Sequence, residues 1–234
     1  MNFKDYTGKL IKIEEISKEV RLFSVELDNN IDFKAGQFIN LTIKDNDEKI
    51  TKPYSIISIP KKNNNIIQLC IRLRNNGKLT PTLFKKQEGD EVFIKGPFGV
   101  FNIDDINSQK EKLIFIGTGI GITPLKSMID YLIKNQTTKQ IILIFATRFE
   151  ENILFQKEFE ELEKNNPNFK YIKIISKPTD KWKGRYGHVQ NNLDMVDVLN
   201  STIFMCGIPP MVEGVKDKLI KKGMIETDIH FEKF

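Results

Sequence analysis

Across the first hundred residues, apolar positions fall in short β-branched runs, alternate with polar ones and are interrupted by turn-forming clusters. The clearest run spans residues 66–74, where Ile67, Leu69, Ile71 and Leu73 share one face of an extended chain. Comparable runs predict strands at residues 8–13, 20–27, 38–43, 54–59 and 91–95. Asp28-Asn29-Asn30, Asp45-Asn46-Asp47, Asn75-Asn76-Gly77 and Gly89-Asp90 supply turn chemistry between them. Short strands at this spacing predict a barrel or a sandwich.

Beyond about residue 108 the pattern changes. Continuous apolar strands are predicted at residues 113–116, 141–146, 171–175 and 202–205, with helical periodicity at 122–134, 154–164, 190–199 and 209–222. Alternation of this kind predicts a doubly wound α/β domain with a parallel sheet. The 234 residues suffice for two domains of roughly 100 residues each. The expected domains are 1–106 and 107–234, with the boundary in the polar stretch around 105–111.

Composition narrows the function classes. Charged residues interrupt every apolar run near the start, and no stretch approaches the ~20 apolar residues of a membrane span. The expectation is a cytoplasmic protein without a membrane span. Cys70 and Cys206 are the two cysteines, and without a C-x-x-C pair no metal or cluster is expected. The formal charge of +5 comes from evenly spread lysines without a basic helix, so nucleic acid is not the expected partner. An acidic protein docking by electrostatic steering fits the charge at least as well.

Four short segments carry candidate chemistry. Gly117-Thr118-Gly119-Ile120-Gly121-Ile122-Thr123-Pro124 joins a predicted strand to a predicted helix, an arrangement that brings backbone N–H groups to a phosphate. Cys206-Gly207-Ile208-Pro209 ends a later strand and points to the same switch-point crevice. Lys52-Pro53-Tyr54-Ser55 combines a cation, a fixed turn, an aromatic face and a hydroxyl suited to a planar anion. Asn76-Gly77-Lys78-Leu79-Thr80-Pro81 is a glycine turn entering a short helix, with Thr80 expected near its cap.

In this order and spacing the four segments resemble the ferredoxin–NADP reductase family over essentially the whole chain, closest in pattern to its bacterial members. That resemblance implies a six-stranded antiparallel FAD-binding β-barrel followed by an α/β NAD(P)-binding domain. Lys52-Pro53-Tyr54-Ser55 resembles the R-x-Y-S/T flavin motif, with Tyr54 packing on the isoalloxazine and Ser55 near its N5. Lys52 stands where the family carries Arg; it keeps the charge without the bidentate fork. Gly77-Lys78-Leu79-Thr80 resembles the flavin pyrophosphate loop, and the resemblance adds Ile71, Arg72 and Leu73 to the flavin site. Ala35-Gly36-Gln37-Phe38 and Gly96-Pro97-Phe98-Gly99 are similar to two further barrel signatures. Gly117, Thr118, Gly119, Ile120, Gly121, Thr123 and Pro124 would hold the coenzyme pyrophosphate, and Cys206 and Gly207 would lie beside nicotinamide. Glu232-Lys233-Phe234 resembles the E-x-aromatic terminus whose last ring covers the flavin.

Hydride transfer requires nicotinamide C4 close to flavin N5 in a dry site. Ser55, Cys206, Glu232 and Phe234 are the expected catalytic wall. Arg148, Ser176, Lys177 and Arg185 are expected around the adenosine 2′-phosphate, which favours NADPH; Glu150 and Glu151 leave NADH open. The expected function is that of an FAD-dependent ferredoxin or flavodoxin–NADP reductase delivering single electrons to a separate acceptor. The alternatives are an NAD(P)H:flavin reductase and an electron-transfer subunit of an oxygenase or dehydrogenase complex.

Overall fold

The computed structural model describes residues 3–45, 48–104 and 110–234. It divides into two compact units, Met1–Ile106 with Lys126–Tyr131, and Asn107–Leu125 with Leu132–Phe234. The predicted turn at Asn46-Asp47 and the expected boundary at 106/107 lie outside the described residues.

The first unit is a curled six-stranded antiparallel sheet. Its strands are β1 (Lys4–Ser17), β2 (Val20–Leu27), β3 (Phe38–Asp45), β4 (Glu48–Ser55), β5 (Ile66–Arg72) and β6 (Glu91–Phe98), with a short helix α1 (Leu79–Leu83) between the last two. Hydrogen-bonded neighbours run in the order β4-β3-β6-β1-β2-β5. An isolated antiparallel bridge between Ile56 and Leu69 brings the two edges together. Phe23, Val25, Ile39, Leu41, Ile67, Leu69 and Ile71 alternate along their strands and fill the interior. Ala35-Gly36-Gln37-Phe38 has a structural task here. Gly36 adopts a φ of +104°, and an added Cβ would lie 2.4 Å from the Phe101 carbonyl oxygen. The buried Gln37 amide then donates to the Gly99 carbonyl at 3.0 Å and accepts from the Lys34 N–H at 2.8 Å.

The fourth strand differs from the expectation. It runs Glu48–Ser55 rather than 54–59: Glu48, Lys49 and Lys52 put charges on both of its faces, and only Ile50 is buried. Its place at the end of the ladder explains how Pro53 is tolerated inside a strand.

The second unit is a parallel six-stranded sheet in the order β10-β9-β8-β7-β11-β12. The strands are β7 (Lys112–Thr118), β8 (Gln140–Thr147), β9 (Phe169–Ile175), the short β10 (Arg185–Tyr186), β11 (Ser201–Gly207) and β12 (Ile229–Lys233). Helices α2 (Ile122–Lys134), α3 (Gln156–Asn165) and α4 (Pro209–Lys221) connect them. Strand β7 and β11 are almost wholly buried, as a sheet covered on both faces requires. The chain leaves β7 toward β8 and returns on its other side as β11, so the switch point of the sheet lies between β7 and β11.

One predicted helix is absent. Residues 190–199 form two 3-10 turns, Val189–Asn191 and Leu193–Met195, in place of an α-helix. The Asn192 amide donates to the Tyr186 and His188 carbonyls at 3.1 and 3.0 Å, which competes with helical pairing.

Candidate functional site

The expected flavin residues of the first unit lie along β4 and at the end of β5. Register pairs Tyr54 with Ile39, Lys52 with Leu41, and Ser55 with Phe38. Lys52 and Tyr54 therefore share one strand face, and Ser55 points to the other. Tyr54 packs partly buried against the core, and burial pushes its phenol up to about 12. It is a neutral aromatic face throughout the physiological range. Pro53 and Lys52 are exposed, while Ser55 is half-buried.

Beyond β5 the chain turns tightly, with the Gly77 N–H donating to the Arg74 carbonyl at 2.8 Å. Thr80 is not the cap of α1: Lys78 occupies that position, without a side-chain cap. The Thr80 hydroxyl instead accepts from the Arg74 N–H at 2.9 Å and donates to the Arg74 carbonyl at 3.2 Å. It fixes the loop shape, and the exposed Lys78 reaches Glu48 at 3.4 Å. Leu79 is buried beneath the loop, Ile71 lies in the core and Leu73 is half-buried. Arg72 Nε is buried without a hydrogen-bond partner. A cavity of about 450 Å³ on this unit is lined by Tyr6, Asn40, Thr42, Lys49 and Lys95 among others, and includes none of the expected flavin residues.

In the second unit the glycine loop opens at the end of β7. Gly119–Gly121 forms a 3-10 turn with Gly119 at a φ of +53°, and α2 follows directly. The Thr123 hydroxyl donates to the Ile120 carbonyl at 2.8 Å, and Pro124 occupies the first turn of α2, where its missing N–H costs nothing. Gly117 packs under Leu125. The loop is pressed against the end of β11. A Cβ on Gly121 would lie 2.3 Å from the Cys206 carbonyl oxygen and 2.8 Å from the Phe234 ring. A Cβ on Gly207 would lie 2.2 Å from Thr118 Oγ1. That Thr118 oxygen is also buried without a partner.

Strand β12 completes the group. Cys206 pairs with Glu232 and Gly207 with Lys233, and the Phe234 N–H donates to the Gly207 carbonyl at 3.4 Å. Phe234 is half exposed. Burial and the nearby Glu232 carboxylate push the Cys206 thiol far up, so the thiol stays neutral and unreactive. Burial raises Glu232 to about 7, so near neutral pH it can hold or give a proton.

This shift has a consequence for stability. The folded state keeps a proton that the unfolded chain releases near 4.5, so stability falls as pH rises from about 4.5 to about 7 and then levels off. The loss is about 3 kcal/mol. Glu232→Gln is expected to flatten that slope in denaturant titrations across the window, and an unchanged slope would refute the buried carboxyl.

The candidate adenosine residues sit at the carboxyl ends of β8 and β9. The Ser176 and Lys177 N–H groups donate to the Thr147 and Arg148 carbonyls, both at 2.9 Å, which ties the two strand ends together. Arg185 follows on β10, paired with Ile174. Arg148, Lys177 and Arg185 are exposed and form no ion pair among the described residues; Arg148 lies over the Phe149 ring at 5.2 Å. Thr179, Trp182 and Asn192 escaped the sequence reading, and all three shape this loop. Trp182 covers Gly184, and its indole N–H donates to the Arg185 carbonyl at 2.8 Å. The aromatic beside Gly184 was their one sequence signal.

Three buried side-chain polar atoms lack a partner among the described residues: Arg72 Nε, Thr118 Oγ1 and Tyr171 Oη. Two of them fall within the expected cofactor residues, one in each unit. Buried polar groups rarely stay unpaired, so both sites fit ligands that supply acceptors. Among the described residues no helix is long and apolar enough to cross a membrane.

Comparison with known proteins finds a family match in each half of the chain. Residues 7–103 match the oxidoreductase FAD-binding domain, and residues 115–217 match the oxidoreductase NAD-binding domain. The phenol 2-monooxygenase reductase component DmpP of Pseudomonas sp. strain CF600 is 30% identical over 99% of this chain and 66% of its own length. The chain thus spans about two thirds of that relative. Ferredoxin–NADP reductase B of Sorangium cellulosum is 25% identical over 98% of the chain and 97% of its length. The CS-b5R domains of human Ncb5or, solved in the NAD+ form, superpose with a TM-score of 0.90 over 99% of this chain and 70% of that one, at 24% identity. With its FAD-binding half followed by its NAD-binding half, the chain belongs to the ferredoxin reductase-type family of flavoproteins.

Proposed function

We propose that this chain is an FAD-dependent reductase that takes a hydride from NADPH and passes single electrons to a separate acidic acceptor, a ferredoxin or flavodoxin. The observation that carries the reading is the pair of buried, partnerless polar atoms, Arg72 Nε and Thr118 Oγ1, each within one expected cofactor site. When bound, a flavin supplies hydride acceptance at N5 and stepwise release of the electron pair.

The remaining work falls to the chain. Lys52 and Arg72 offer positive charge to the pyrophosphate, and the Arg74–Thr80 loop presents its backbone in a fixed shape. Tyr54 gives a neutral stacking face. In the second unit the Gly119–Gly121 turn and the first turn of α2 offer N–H groups to the coenzyme pyrophosphate. Cys206 and Phe234 exclude water from the nicotinamide side, and Glu232 holds a proton there. The cations Arg148, Lys177 and Arg185, exposed and without an ion pair among the described residues, favour a 2′-phosphate.

Flavin content tests the first half-site. The protein is expected to purify yellow, with FAD released on heating. Lys52→Arg should tighten FAD retention by roughly tenfold through the bidentate fork. Colourless protein that binds no added FAD would overturn the proposal. A second reading, an electron-transfer component of an oxygenase assembly, is favoured by the likeness to DmpP. Steady NADPH-dependent reduction of both a dye and a ferredoxin by the isolated chain supports the first reading over it.

A further inference from the structure

Glu150, three residues beyond the end of β8 in the 3-10 turn Glu150–Asn152, is an acid that could read a ribose 2′-OH and so favour NADH. In the structure it is already engaged. Its Oε1 accepts the Thr179 N–H at 3.0 Å and the Thr179 hydroxyl at 2.6 Å. Those two hydrogen bonds hold its carboxyl below the usual range, so it stays ionised as an acceptor. Thr179 lies two residues after Lys177 in the loop from β9 to β10. The Trp182 N–H donates to the Thr179 carbonyl at 3.0 Å, and the Trp182 indole donates to the Arg185 carbonyl. The link therefore runs from Glu150 through Thr179 and Trp182 to Arg185. Backbone bonds from Ser176 and Lys177 to Thr147 and Arg148 tie down the near end of the loop.

We infer that Glu150 is a positioning residue for coenzyme selection: by anchoring Thr179 it holds Lys177 and Arg185 in place for the 2′-phosphate of NADPH. The inference rests on the NADPH reading above. Its sign is opposite to that of a ribose reader. Without the anchor the basic loop loosens, and NADPH loses affinity while NADH, lacking the 2′-phosphate, keeps it.

The test is rapid-mixing reduction of the FAD-loaded protein, with Kd and limiting rate measured for NADPH and for NADH. Glu150→Ala and Thr179→Val are each expected to raise the NADPH Kd roughly tenfold. NADH Kd and both limiting rates should stay within about twofold, a change below ~0.4 kcal/mol. The double variant should lose no more than either single one, because both break one link. Glu150→Gln and Thr179→Ser keep an acceptor and a donor, and should restore most of the affinity. Hydrogen exchange across residues 176–186 should speed up in Glu150→Ala and Thr179→Val. Selective loss of NADH in Glu150→Ala, with Thr179→Val unaffected, would make Glu150 a ribose reader and overturn the inference. Equal loss of both coenzymes, or of neither, overturns it as well. Failure of the underlying reading looks different: the unsubstituted protein itself would then prefer NADH.

Discussion

Gly121→Ala is expected to cut reduction of the bound flavin by NADPH about 100-fold while leaving the flavin in place. The added methyl meets the Cys206 carbonyl oxygen at 2.3 Å and the Phe234 ring at 2.8 Å. Real Cβ contacts do not come that close. The ring of Phe234 can turn aside, but the Cys206 carbonyl belongs to the buried strand β11, paired on both sides, and cannot. The glycine turn must therefore move away from the end of β11, carrying its N–H groups off the coenzyme pyrophosphate. Overpacking of this kind costs about 2–3 kcal/mol of stability. Gly214→Ala, within α4 and near only the flexible Gln190 side chain, serves as the control and should be neutral or slightly stabilising. A Gly121→Ala protein that reduces at the unsubstituted rate would show that this turn does not seat the coenzyme.

Arg148→Ala combined with Arg185→Ala should weaken NADPH by roughly 100-fold, about tenfold for each charge-assisted contact, and leave NADH nearly unchanged. Both cations are exposed and lack ion pairs among the described residues, so their removal should not cost folding. The loss should shrink as ionic strength rises, since exposed charges are screened. Equal loss of both coenzymes would remove these residues from the 2′-phosphate site.

Much of this was legible in the sequence because the relevant signals are local. Alternation in β5 and continuous burial in β7 and β11 follow directly from one- and two-faced sheets. The glycine loop announces itself because a tight strand-to-helix turn needs small residues. Strand β4 was harder to read. Its outward face is Lys49, Thr51 and Pro53, and its inward face mixes Ile50 with Lys52 and Tyr54, so it shows no apolar run. The neighbouring Ile56 and Ile57 drew the predicted strand downstream, although they serve the edge bridge to β5. Val189, Leu193 and Val198 are buried at nearly helical spacing, yet the Asn192 side chain draws the backbone into 3-10 turns. Thr80 looked like a cap because hydroxyls usually are; its true partner, Arg74, lies six residues back across a turn. The Glu150–Thr179 pair spans 29 residues, and no periodicity reports a contact that long.

The measurement that bears most directly on the central claim is rapid mixing of the purified, FAD-loaded protein with NADPH and with NADH in parallel, followed at the flavin absorbance band. Bleaching by both, with NADPH binding the more tightly, is the predicted result. Absence of bleaching with either nucleotide would contradict the account of a hydride-accepting flavoprotein, and tighter binding of NADH would contradict the coenzyme assignment built on Arg148, Lys177 and Arg185.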